Sequence, residues 1–135
     1  MKYSRVFINS LAYELAPEVV TSAELESRLT PLYQKFRIPM GQLTALTGIE
    51  ERRWWPKDHM LSDGAITAAE KVIAETGISV ADLGAVVYTG VCRDQHEPAT
   101  ACRIAAKLGV LKDTAIYDIS NACLGVLSGI LDIAN

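Results

Sequence analysis

Apolar positions along the chain fall into short blocks whose spacing switches between two residues and three to four. Residues 3–9 alternate and end in a polar turn, which predicts a strand. Ser22-Ala23-Glu24-Leu25-Glu26 reads as a helix start, capped by Thr21 or Ser22, with acids in its first turn and an end near Thr30. A break follows around Pro39, and Met40 to Leu46 has the spacing of a short helix stopped by Thr47-Gly48. Glu50 to Pro56 is a charged, aromatic segment ended by proline. The clearest helix runs from Ser62 to Thr76. Ala65, Ala68, Ala69, Val72 and Ile73 share one face there, and Gly77 sits at the stop. Ala85 to Gly90 predicts a buried strand, Thr100 to Leu108 an alanine-rich helix closed by Gly109, and Ala115 to Ile119 a second buried strand. This alternation of β and α with short joins argues an α/β layered fold with a largely parallel or mixed sheet.

The last block changes the picture. From Ala122 onward the pattern is apolar nearly all round: Leu124, Val126, Leu127, Ile130, Leu131 and Ile133. Such a helix calls for burial on every side, and Gly125 and Gly129 would let another backbone approach closely. A helix of this kind at residue 135 is expected to lie under a further layer or against another chain. The sequence is therefore expected to be part of something larger.

Composition narrows the function classes. A chain of 135 residues, half of them hydrophobic, suits one ordinary domain with a sizeable core. Its net charge of −3 and scattered Lys and Arg give no footprint for nucleic acid or for an anionic membrane surface. The apolar run at the N-terminus is too short for a signal-peptide core, and no stretch approaches the ~20 apolar residues of a spanning helix. Three cysteines without an export signal predict reduced thiols and a cytoplasmic setting.

Cys123 carries the chemistry. It stands where a buried strand gives way to an apolar helix, and the unpaired N–H groups of a helix N-terminus favour a thiolate. The bland alternative is an inert buried thiol. Cys92, His96 and Cys102 lie close in sequence, but their spacing is no recognised zinc pattern and a fourth ligand is not evident, so no metal is expected.

Three blocks carry a resemblance. They are Leu46-Thr47-Gly48-Ile49-Glu50-Glu51-Arg52-Arg53-Trp54, the Ser62 helix followed by Val86-Val87-Tyr88-Thr89-Gly90, and Asp118-Ile119-Ser120-Asn121-Ala122-Cys123-Leu124-Gly125. Together they resemble the N-terminal half of a thiolase-superfamily condensing enzyme of the 3-oxoacyl-acyl-carrier-protein synthase III type. The third block resembles that family's nucleophile motif. The run from Thr89 to Ala101, with Glu97-Pro98-Ala99-Thr100 inside it, is similar to the OleA branch, which joins two fatty acyl chains head to head.

The resemblance implies residues 1–135 as one N-terminal half-domain of an αβαβα layered fold, with a mixed sheet and a buried nucleophile helix. It implies a C-terminal half, absent here, that brings a histidine and an asparagine; His59 and His96 stand in the wrong segments to replace that histidine. Cys123 is then the acyl-accepting nucleophile, and Glu97 the proposed base, reaching across a dimer interface. Without the resemblance, Glu97 is equally a surface acid ahead of the Thr100 helix. Arg52, Arg53 and Trp54 are possible contacts for coenzyme A, the alternative being a solvated charged turn with a buried tryptophan. Gly90 would allow a close turn beside the site. No cofactor is implied. The substrates are acyl thioesters, acyl-CoA or acyl carrier protein, and the partners a second copy and the polypeptide that supplies the other half. A decarboxylative synthase III and a non-catalytic interaction subunit are the other functions weighed.

Overall fold

The computed structural model describes residues 3–135. The chain divides into two compact units: Leu15–His59, and Met60–Asn135 together with the segment that ends at Glu14.

In the Leu15–His59 unit the order is β1 (Glu18–Thr21), α1 (Ser22–Arg28), α2 (Thr30–Phe36), α3 (Gln42–Thr47) and β2 (Glu51–Trp54). β1 and β2 pair antiparallel, with Glu18 opposite Trp54 and Thr21 opposite Glu51. Thr21 is the cap of α1, its hydroxyl accepting from the Glu24 N–H at 3.1 Å. The helix expected to reach Thr30 instead closes at Arg28. Pro31 lacks the N–H a continuing helix needs and sits in the first turn of α2.

Glu26 organises this unit. Its side chain is buried, and its carboxylate accepts from the Gly41 and Leu43 N–H groups, each at 2.6 Å, at the start of α3. The Leu43 and Gly41 amides hold the Glu26 carboxyl below its usual range, against the opposing effect of burial. A carboxyl lowered on folding contributes stability that is fully present above its unfolded value and is lost as pH falls through the folded one. Glu26→Gln is therefore expected to lower the urea midpoint of this unit at pH 7 and to flatten its loss of stability below pH 4. Urea titrations across pH check this.

In the Met60–Asn135 unit, α4 (Leu61–Thr76), a 3₁₀ turn at Val80–Asp82, β3 (Ala85–Tyr88), α5 (Thr100–Leu108) and β4 (Ala115–Asp118) lead to a second 3₁₀ turn at Ala122–Leu124 and α6 (Gly125–Ala134). β3 and β4 are parallel, Ala85 opposite Ala115 and Tyr88 opposite Asp118, with α5 as the crossover. The core is made by Ile66 of α4 with Ala101, Ile104 and Ala105 of α5. Gly77 and Gly109 close α4 and α5 in the left-handed region, at φ of 67° and 71°, as their helix-stop positions predict.

The mixed strand pairing takes the form of two separate pairs among the described residues, one antiparallel and one parallel. One expectation is corrected. The strand expected over residues 3–9 does not form. The segment alternates but pairs with neither β3 nor β4, and Phe7 and Ile8 remain exposed. A strand exists only through its ladder, so alternation alone does not make one. The alanine face of α4 is half-buried and lines a hollow of about 760 Å³ under residues 8–12, while the fully buried positions of that helix are Ser62 and Ile66. No helix among the described residues is long and apolar enough to cross a membrane.

Candidate active site

Cys123 lies in the 3₁₀ turn between β4 and α6 and is exposed. The chain bends into this turn through Ala122 at φ 42°, a left-handed conformation that costs a residue with a Cβ roughly 1–3 kcal/mol and persists only where the surroundings enforce it. Both sides of the turn are held. Upstream, the Ile119 N–H donates to the Tyr88 carbonyl at 2.8 Å. Downstream, the Asn121 side-chain amide donates to Ser128 Oγ at 2.8 Å.

α6 is seated on Thr89 through its two glycines. A Cβ on Gly129 would stand 2.5 Å from the Thr89 methyl, and one on Gly125 would meet the Thr89 carbonyl oxygen at 3.4 Å. This is the close approach those glycines predict. Overpacking by a methyl costs about 1–3 kcal/mol, while Gly→Ala within a helix gains at most about 1 kcal/mol. Gly129→Ala is therefore expected to destabilise the unit in urea melts. Adding Thr89→Ser, which removes the clashing methyl, is expected to restore or exceed the starting stability. The rest of α6 is not buried. Leu124 and the apolar positions from Val126 to Ile133 are 44 to 60% exposed, and among the described residues the fully covered positions of the helix are Gly125 and Gly129.

Glu97 is exposed, in the irregular segment between β3 and α5, preceding Pro98 through a cis peptide bond. Its carboxylate makes no hydrogen bond or ion pair among the described residues, and none links it to Cys123. Gly90 makes room for Tyr88. A Cβ there would lie 2.5 Å from the phenol oxygen, which donates to the Cys92 carbonyl at 2.9 Å. Burial pushes the Tyr88 phenol up, and Cys92 and the carboxylates of Asp118 and Asp94 add to this.

In the Leu15–His59 unit, Arg52, Arg53 and Trp54 form most of β2 and are a strand, not a charged turn. Alternation puts Arg52 and Trp54 on one face and Arg53 on the other. Arg53 pairs with Glu51 at 3.2 Å. Arg52 donates through Nη2 to Ser22 Oγ at 3.2 Å, while its buried Nη1 has no partner. The Arg28 guanidinium lies 5.3 Å from the centre of the Trp54 ring, which is partly exposed rather than buried. Trp55 stacks on His59 at 3.8 Å.

The chain is 89% identical over all 135 residues to the acyl-CoA:acyl-CoA alkyltransferase of Shewanella oneidensis, of which it covers 39%. It is 37% identical over 134 residues, 99% of its length, to the Xanthomonas campestris protein of that name, again covering 39%. Cerulenin-bound OleA from Xanthomonas campestris superposes with a TM-score of 0.92 at 36% identity, over 98% of this chain and 38% of that one. The chain belongs to the thiolase superfamily. A 3-oxoacyl-acyl-carrier-protein synthase III (FabH) from Xanthomonas oryzae matches equally well, at TM-score 0.92 and 37% identity over 99% of this chain and 40% of that one. This thiolase-like chain thus spans about two fifths of the length of the curated relatives it matches. No protein-family model matches it.

Within the thiolase-like frame, Cys123, Glu97 and Gly90 all belong to the Met60–Asn135 unit, while Arg52, Arg53 and Trp54 belong to the other. Among the described residues no group of three or more His, Cys, Asp and Glu is placed to hold a metal ion.

Sequence reasoning missed Asp118. Its side chain is 2% exposed and pairs with Arg93 Nη1 at 3.0 Å. It also accepts from the Thr100 and Ala101 N–H groups at 2.8 and 2.9 Å. A lone carboxylate ending an otherwise uncharged apolar strand was the available signal, because a charge taken out of water requires partners.

Proposed function

We propose that this chain supplies the nucleophile-bearing half of an acyl-CoA condensing enzyme that joins two fatty acyl thioesters head to head. The observation that carries the reading is the exposed Cys123 on an enforced strand-to-helix turn, in a chain 89% identical to an acyl-CoA:acyl-CoA alkyltransferase. In the first step the Cys123 thiolate attacks the carbonyl of one acyl-CoA, the C–S bond to coenzyme A breaks, and the coenzyme leaves as its thiol after taking a proton. In the second, a base removes the α-proton of another acyl-CoA, and the carbanion attacks the acyl-cysteine carbonyl. The cysteine thiolate departs and a 2-alkyl-3-oxoacyl thioester remains. Glu97 is the base we assign. That α-proton is weakly acidic, so the step needs both a placed carboxylate and stabilisation of the enolate oxygen.

The exposed apolar sides of α6 fit a covering layer, and we assign this to a C-terminal half carrying a histidine and an asparagine for the enolate. The outward, unpartnered Glu97 fits a base delivered to a second copy in a homodimer. The orphaned Nη1 of Arg52 leaves a buried cationic donor for a coenzyme A phosphate, with Trp54 on the same face of β2 and Arg53 on the opposite one. The reaction needs acyl thioesters and no further cofactor. Three free cysteines accord with a reduced, cytoplasmic setting.

A decarboxylative synthase III is the second reading, favoured by relatives of that name, such as the Bacillus pumilus protein, 39% identical over 85 residues. The chain joined with its C-terminal half and given long-chain acyl-CoA alone tests the two. Release of coenzyme A with a 2-alkyl-3-oxoacyl product supports head-to-head condensation. Dependence on a malonyl thioester, with release of carbon dioxide, assigns it to synthase III. The bare α6 face also suits a non-catalytic interaction subunit, which would tolerate Cys123→Ala.

A further inference from the structure

Asp118 occupies an unusual place. It ends β4, five residues ahead of Cys123, and its buried carboxylate contacts the chain on both sides of Glu97. Arg93, four residues ahead of Glu97 in that segment, donates to Oδ2 at 3.0 Å. Thr100 and Ala101, where the segment becomes α5, donate their N–H groups to Oδ2 and Oδ1 at 2.8 and 2.9 Å. Two further ties lie on the leading side. The Tyr88 hydroxyl donates to the Cys92 carbonyl at 2.9 Å, and the Ser62 N–H to Asp94 Oδ1 at 3.2 Å. Between Asp94 and Thr100 no side chain supplies another anchor among the described residues. The position of the Glu97 backbone is therefore set largely by what grips Arg93 and Thr100, and one carboxylate grips both.

We infer that Asp118 is a positioning residue for condensation, fixing the Glu97 segment to the strand that delivers Cys123 through its paired contacts with Arg93 and with the N-terminus of α5. The inference rests on the reading of Glu97 as the base. The nucleophile itself does not depend on this carboxylate. The β3–β4 ladder, the Ile119 N–H to Tyr88 carbonyl bond and the Asn121 to Ser128 side-chain bond hold the Cys123 turn without it. The two arms of Asp118 also separate. The contact with Arg93 holds the segment, whereas the contacts with Thr100 and Ala101 satisfy the first N–H groups of α5, a structural need of any helix.

Arg93→Gln isolates the first arm, because the α5 N-terminus keeps its carboxylate. The experiment measures Cys123 acylation, condensation and hydrogen exchange by mass spectrometry in the chain joined to its C-terminal half. The expected result is faster exchange across residues 94–99 with Thr100 and Ala101 still protected. Acylation of Cys123 is expected to be unchanged and condensation kcat about 10²-fold lower, the loss a displaced catalytic group produces. Arg93→Lys is expected to recover part of that loss, and Asp118→Asn to lose protection at both ends. Equal falls in acylation and condensation, or exchange and condensation both unchanged in Arg93→Gln, would overturn the inference. Absence of condensation in the unsubstituted protein would instead remove the reading of Glu97, and the positioning claim with it. The exchange data would then report only the tether.

Discussion

Glu97→Gln is expected to leave Cys123 fully acylated by long-chain acyl-CoA and to lower condensation by about 10²–10⁴-fold, the usual contribution of a placed general base. Glutamine keeps the shape of the side chain and removes its basicity. Acylation asks nothing of Glu97, since attack by a thiolate on a thioester needs no α-proton removed. Carbon–carbon bond formation asks everything of it. The carboxylate is exposed and has no partner among the described residues, so the substitution breaks no contact seen there and stability is expected to hold. Intact mass of the acyl-enzyme and chromatography of the product read the two steps separately. Product formation at the normal rate would remove Glu97 from the chemistry, and loss of acylation would give it a different role.

The second large effect is at the nucleophile. Cys123→Ala is expected to abolish the acyl-enzyme and to lower condensation by at least about 10⁴-fold, since removing a covalent nucleophile costs more than removing one of its helpers. The fold is expected to survive. Cys123 is exposed, and the turn that carries it is held by Asn121, Ser128 and the seating of α6 on Thr89 rather than by the thiol. The same variant separates the catalytic reading from the interaction reading, because only an interaction subunit keeps its role without the thiol.

Legibility in the sequence followed the range of the interactions involved. α4, α5, β3 and β4 lie where their period and their terminal glycines put them, because those signals act within one turn or one strand. Cys123 was readable for the same reason, as a strand-to-helix junction is a local event. Its surroundings were not. The turn begins as 3₁₀ and α6 only at Gly125, and the left-handed Ala122 carries no sequence signature, alanine being a residue that avoids that conformation.

β1 and β2 are four residues each and owe their existence to one another across the Leu15–His59 unit. The charged, aromatic look of Glu51-Arg52-Arg53-Trp54 hid a strand whose partner is remote. Glu26 and Asp118 illustrate the same limit. Each is a buried carboxylate explained by amides at the start of a helix distant in sequence, and residue spacing does not report such contacts. Residues 3–9 show the converse, an alternation with no ladder to make it a strand.

The central claim is that Cys123 accepts an acyl group. Its most direct test joins the chain to its C-terminal half, adds a long-chain acyl-CoA in the presence of Glu97→Gln to arrest the second step, and determines the mass of the peptide bearing Cys123. The account predicts that this peptide gains the mass of the acyl group while the peptides bearing Cys92 and Cys102 do not. An unmodified Cys123, or acylation spread over all three cysteines alike, would contradict it.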